Sequence, residues 1–228
     1  MTSFIDRDSV KRIASDIRML KKNSLTEHGI YYIHNDENIL KGYALIVGPK
    51  DTIYYGGCYL FEVDFPSNYP YSPPELKYMT NCGNVRFNPN LYRNGKVCIS
   101  ILNTWKGDRW TSSLTLTSIL LALCTLLNEK PLLNEPGVTE QHSDYENYNK
   151  IIKFMNYSYA FIELHNKEVL PKNFHVFWDI IDNNYNNKKE EIKNEIKELA
   201  KNKKERIKTR LYNMDITIDY KSIYKKIV

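Results

Sequence analysis

Val10, Ile13, Ala14, Ile17 and Leu20 recur at steps of three and four residues. That period predicts an amphipathic helix over residues 9–23, capped by Asp8 or Ser9, with Lys11, Arg12, Arg18, Lys21 and Lys22 on its other faces. Strand patterns follow at residues 30–33, 43–47, 57–65 and 75–79. The third is the clearest. Tyr59, Phe61, Val63 and Phe65 point one way and Leu60, Glu62 and Asp64 the other, which predicts a sheet with one buried face. Gly48-Pro49 marks a turn, and the short links between strands predict an antiparallel meander.

Between the third and fourth strands, residues 65–74 hold four prolines, which fix an extended connector. Periodicity is lost over residues 81–110, and so long an irregular stretch inside a compact domain is usually functional. Residues 115–127 are apolar almost all round and predict a central buried helix. Residues 144–161 predict another, with Tyr145, Tyr148, Ile152, Met155 and Tyr159 on one stripe. After residue 161, Phe174, Val176, Phe177, Trp178, Ile180 and Ile181 are too apolar for a free linker and are expected to pack on the domain. Residues 188–211 read as one long charged helix with Glu190/Lys193, Glu198/Lys201 and Glu205/Lys208 pairs and a thin stripe of Ile192, Ile196, Leu199, Ile207 and Leu211. The expected organisation is a domain at 1–161 and a helical extension at 162–228 that can be removed without loss of chemistry.

Charge refines this picture by its location. The net charge is +5, and residues 187–211 carry ten Lys/Arg against five Glu, so the remainder is formally neutral. A neutral body argues against nucleic-acid binding as the main role. The N-terminal residues lack a signal-peptide layout and the longest apolar run is too short to span a bilayer, so a cytoplasmic or nuclear protein is expected. The four cysteines, Cys58, Cys82, Cys98 and Cys124, form no CxxC pair, so neither structural zinc nor any cofactor is expected. Cys58 sits in a strand pattern and Cys124 in a helix pattern, as buried cysteines commonly do.

Cys98 differs. It follows Asn90 by eight residues, through a Pro89-Asn90 turn and an Asn94-Gly95 turn, and precedes an apolar run. A thiol in such a loop is a candidate nucleophile. Gly48-Pro49, Tyr55-Gly56-Gly57, Phe65-Pro66-Ser67-Asn68-Tyr69-Pro70, Ser72-Pro73-Pro74, Asn88-Pro89-Asn90, Cys98, Trp110 and the helix at 118–127 stand in one order and spacing. Together they resemble the ubiquitin-conjugating enzymes, over most of residues 9–160. Trp105-Lys106-Gly107 and Asn134-Glu135-Pro136-Gly137 make the chain most similar to the larger, Z-type subgroup, which carries C-terminal extensions.

The resemblance implies an α+β fold: an N-terminal helix, a four-stranded antiparallel sheet, a long active-site loop and C-terminal helices. It implies that an activating enzyme passes ubiquitin, or a ubiquitin-like protein, to Cys98 as a thioester. A ligase then aligns it with a protein substrate's lysine. By resemblance, Asn90 either supports an oxyanion or holds the loop, and Glu135 orients or deprotonates the lysine. Asn88, Pro89 and Ser100 belong to the active-site loop. Lys11, Arg12 and Arg18 meet the activating enzyme, and Pro70, Tyr71 and Ser112 meet the ligase. Asn88 stands where most members have His, and Ser100 where many have an acid. Two other readings are weighed: a binding module of the same fold without catalysis, and a nucleic-acid-binding tail.

Overall fold

The β-branched and aromatic runs form one antiparallel meander. Strands β1 (Ile30–His34), β2 (Lys41–Val47), β3 (Cys58–Asp64) and β4 (Glu75–Tyr78) lie in that order, with Ile30 opposite Ile46, Leu45 opposite Leu60 and Phe61 opposite Tyr78. The structure is a computed structural model that describes residues 5–227. Of the N-terminal stretch read above, residues 1–4 lie outside the described residues, as does residue 228. Among the described residues no helix is long and apolar enough to cross a membrane.

One face of the sheet carries Ala44, Ile46, Tyr59, Phe61 and Val63 into the main core, as the alternation predicts. The other face is buried as well, contrary to the expectation of a single buried face. Leu45, Cys58 and Leu60 form a second core with Leu164, Leu170, Phe174, Phe177 and Ile181 from the C-terminal third of the chain. Tyr43 and Phe174 meet edge to face at 5.4 Å. Burial in this second core raises the Cys58 thiol pKa to about 12, with nearby Lys188 opposing the shift.

Helix α2 (Leu116–Leu126) supplies Leu116, Ile119, Leu120 and Leu123 to the main core and is closed at its start by a Thr115/Ser118 capping box. It is not buried all round: Leu121 is exposed. Helix α1 (Arg7–Lys22) begins earlier than its apolar period suggested, because Asp6 caps it by accepting the Asp8 N–H. Ser9 instead donates its hydroxyl to Ser67 O at 2.8 Å.

Asp16 joins these parts. One carboxylate oxygen accepts from Arg12 Nε at 2.9 Å, and the other from Tyr69 Oη at 2.5 Å and Leu116 N at 3.0 Å. Removing it leaves a phenol, a helix N–H and the Nε edge of the Arg12 guanidinium without their acceptor. Asp16→Ala is therefore expected to cost about 3 kcal/mol, the lower end for breaking a buried pair because Arg12 is partly solvated. Urea unfolding would show this as a lowered midpoint.

Three features of the C-terminal third bear on the sequence reading. Helix α3 (Tyr145–Met155) runs on as a wider π helix at Asn156–Ile162, so the expected helical stretch reaches residue 161 but widens in its last turns. There buried Asn156 accepts from Tyr59 Oη at 2.7 Å and donates to Tyr55 O at 3.0 Å. A Cβ on Gly57 would lie 1.9 Å from the Asn156 amide oxygen, so this contact needs glycine. The proposed domain boundary at 161 thus falls within a packed segment. Second, the charged helix α4 (Trp178–Leu199) stops short of residue 211. It is followed by a hairpin of β5 (Glu205–Lys208) and β6 (Asp215–Ile218) and a short helix α5 (Tyr220–Tyr224). The Glu205/Lys208 pair therefore does not brace a helix; Arg206 and Lys208 reach across the hairpin to Asp215. Third, the stripe of α4 docks on the domain, one of the two places open to it. Ile192 and Ile196 are fully buried, and Asn184 Nδ2 donates to Gly56 O at 2.7 Å.

Candidate functional site

The irregular stretch at 81–110 is held by local hydrogen bonds that its turn residues dictate. Gly95 takes φ +90°, and its carbonyl accepts the Tyr78 N–H, which fastens the loop to the end of β4. Tyr92 and Lys96 close the turn, and Asn94 accepts the Lys96 N–H. Beyond Cys98, a 3-10 turn at Ser100–Leu102 is braced by Thr104, whose hydroxyl binds the main chain of Val97 and Ile99.

Asn90 and Cys98 are brought together twice. The Cys98 N–H donates to Asn90 O at 2.9 Å, and Asn90 Nδ2 donates to Cys98 O at 2.6 Å. Asn90 Oδ1 is buried without a hydrogen-bond partner. Cys98 itself is buried, at 2% exposure. An open groove of about 600 Å³ is lined by Phe65, Pro73, Glu75, Leu102, Thr104 and, from the residues just before Cys98, Lys96 and Val97.

Asn88 acts as a bracket. It is fully buried, donates to Leu126 O at 2.7 Å and to Tyr54 Oη at 3.1 Å, and accepts the Asn90 N–H at 2.9 Å. An asparagine thus ties the loop to helix α2. The Pro89 carbonyl accepts from Arg86 Nη2 at 2.5 Å. Ser100 begins the 3-10 turn, close to Gly107, and bears no charge that could stand in for an acid.

Glu135 follows the short turn Pro131–Asn134, and its carboxylate accepts from Tyr212 Oη at 2.5 Å. Tyr212 lies on the tail and was not singled out in the sequence, nor were Arg86 and Arg93. The Arg86 guanidinium stacks 3.4 Å from the Tyr92 ring centroid and 4.9 Å from that of Tyr212. Arg93 Nη2 donates to the Tyr212 carbonyl.

The outlying predicted residues fare unequally. Lys11 is exposed and pairs with Asp8, and Arg18 is exposed with a bond to Ala14 O in its own helix. Arg12 is not a free docking charge. Besides Asp16 it holds Ser112 O and Leu114 O at 2.6 Å each, and its planar fork spans all three. The Pro70 carbonyl is taken by Trp110 Nε1 at 2.6 Å, whereas Tyr71 is 71% exposed. Ser112 is exposed beside Thr111 and Ser113.

Comparison with known proteins gives a consistent result. The profile of the family "Ubiquitin-conjugating enzyme" matches residues 12–156. Ubiquitin-conjugating enzyme E2 Z of Xenopus tropicalis is 40% identical over 185 residues, covering 76% of this chain and 58% of that protein. Its Homo sapiens counterpart is 43% identical over 145 residues, covering 62% and 40%. The probable ubiquitin-conjugating enzyme protein 17 of Caenorhabditis elegans is 37% identical over 186 residues, covering 73% and 25%. The chain thus spans less than two thirds of the length of these relatives.

Proposed function

The chain belongs to the ubiquitin-conjugating enzyme family, and from that premise we propose that it carries ubiquitin, or a related modifier, as a thioester on Cys98 and passes it to a lysine amine or a ligase. The observation that supports this most is the pair of hydrogen bonds that fixes Cys98 to Asn90. The presence of the cysteine on a braced loop favours an enzyme over a binding module of the same fold.

The chemistry follows from the groups present. The Cys98 thiolate attacks the activating enzyme's thioester carbonyl, and the enzyme's own thiolate leaves. In the second step the substrate amine attacks the new thioester, a tetrahedral oxyanion forms, and the C–S bond breaks to return Cys98. The amine has an ordinary pKa near 10.4, so the site must gather the scarce neutral form and align it. Asn90 already spends one N–H on the Cys98 carbonyl. Its amide has a second N–H to offer an oxyanion, and its main observed task is to keep the loop in place.

Partners are assigned by exposure. Lys11 and Arg18 remain available to an acidic activating-enzyme surface, and Tyr71 with Ser112 offers a ligase contact. A cytoplasmic or nuclear location suits such partners. The direct test incubates the full chain with ATP, ubiquitin and a panel of activating enzymes and reads a thiol-sensitive adduct on a non-reducing gel. Absence of any adduct across the panel counts against the proposal. Asn90→Ala is expected to slow discharge onto free lysine by about 100-fold, the scale of a lost oxyanion donor, with a smaller fall in charging. Equal falls in both steps, with a lowered melting temperature, would mean a loop-holding role alone.

A further inference from the structure

The tip of the C-terminal hairpin is built against the active-site loop. The Asp144 carboxylate, buried to 5% exposure, accepts the N–H groups of Arg210 and Leu211 at 2.9 and 2.8 Å. Met214 is fully buried, and Asn84 Nδ2 donates to Asn213 O at 2.8 Å. Between these anchors Tyr212 and Asn213 take φ of +62° and +47°. Asparagine tolerates the left-handed region; a tyrosine rarely adopts it. A turn made only to reverse the chain would use Gly or Asn at both places. Such a conformation persists where the surroundings over-determine it, and it concentrates at functional sites.

What the strained backbone achieves is the placement of one side chain. We propose that Tyr212 is a positioning residue for the transfer step, holding the Glu135 carboxylate with its hydroxyl and bracing, through Arg93 and Arg86, the loop that carries Asn90 and Cys98. The proposal deepens the reading of the chain as a conjugating enzyme and rests on it. Tyr212 Oη lies 2.5 Å from Glu135 Oε2. Its ring faces Arg86, whose other hydrogen bonds go to the carbonyls of Asn88 at 3.2 Å and Pro89 at 2.5 Å. Tyr148 packs edge-on at 5.9 Å and closes the remaining side.

The chemistry requires such a brace. A carboxylate that receives a lysine must present one oxygen to the nitrogen while the other is held. One donated O–H fixes the carboxylate's rotation and leaves Oε1 for the incoming amine. Burial and the adjacent Glu135 both raise the pKa of the Tyr212 phenol, so it stays a donor at neutral pH. The hairpin is not a releasable latch, because buried groups anchor it on several sides. It is a fixed wall, supplied by a segment 77 residues beyond Glu135.

The test uses the full chain, first charged in its wild-type form. Discharge onto free lysine is followed at varied lysine concentration for wild type, Tyr212→Phe, Glu135→Gln and the double variant. Tyr212→Phe keeps the ring and removes the hydrogen bond. Its maximal discharge rate is expected to fall roughly three- to tenfold, while the half-saturating lysine concentration changes little and charging falls far less. The double variant should be no slower than the slower single variant, as expected of two groups that act as a unit. Wild-type discharge by Tyr212→Phe, or full additivity in the double variant, would each overturn the proposal. So would equal loss of charging and discharge with a lowered melting temperature. If the wild type accepts no modifier, the underlying functional reading fails, and that failure is seen before any variant is compared.

Discussion

A chain cut after Phe161 is expected to aggregate on expression instead of remaining a soluble carrier. The sequence alone suggested that the tail could be removed without touching the chemistry. In the structure the cut passes through the π turn at Asn156–Ile162 and strips Phe174, Phe177 and Ile181 from one sheet face. It also removes Ile192, Ile196 and Met214 from the main core. Burying each such side chain contributes about 1.5–3 kcal/mol. Even after the saving in ordering entropy, the loss is large beside a net stability of roughly 5–15 kcal/mol. Leu45, Cys58 and Leu60 would then form an exposed apolar patch on a sheet. A milder version keeps the chain whole: Phe177→Ala is expected to cost about 3–5 kcal/mol, read from the urea midpoint. A truncated chain that stays soluble and melts at the full chain's temperature would show the tail to be an appendage.

The sequence carried the parts of this fold whose period is local. α1, the four strands and α2 were legible because their apolar residues repeat at helical or strand steps within a few turns. The second buried face of the sheet was not. Leu60 reads as the solvent side of an alternating strand, and its cover, Phe174 and Phe177, lies more than a hundred residues away. The hairpin was hidden by composition. The run of Lys and Glu through 188–211 suits a solvated helix, and Ile207 fits the helix stripe as well as a strand. The stronger signal was Ile216 and Ile218 alternating in β6, with Tyr212-Asn213 before them.

The candidate site shows the same division. Cys98 and Asn90 are eight residues apart with two turn signals between them, so the loop was legible locally, while a role for Asn90 came only from the family resemblance. Arg12 looked like a surface charge because nothing nearby in sequence accepts from it except Asp16. Its carbonyl partners Ser112 and Leu114 come from a hundred residues on. Arg86 and Tyr212 were passed over for the same reason, since the groups they brace meet them only in the folded chain.

The identity of the acyl-accepting atom is the central claim, and one comparison tests it. Wild type, Cys98→Ser and Cys98→Ala are incubated with ATP, ubiquitin and an activating enzyme that charges the wild type, then run with and without thiol. A serine keeps an oxygen nucleophile on the backbone that Asn90 fixes. Its product is an oxyester, which resists thiols and amines, whereas a thioester stays reactive. Alanine leaves no nucleophile there, while Cys58, Cys82 and Cys124 remain. Burial raises the pKa of each of those three thiols and so lowers their thiolate content. The account predicts a thiol-sensitive adduct for wild type, a thiol-resistant one for Cys98→Ser and none for Cys98→Ala. A thiol-sensitive adduct on Cys98→Ala would contradict it.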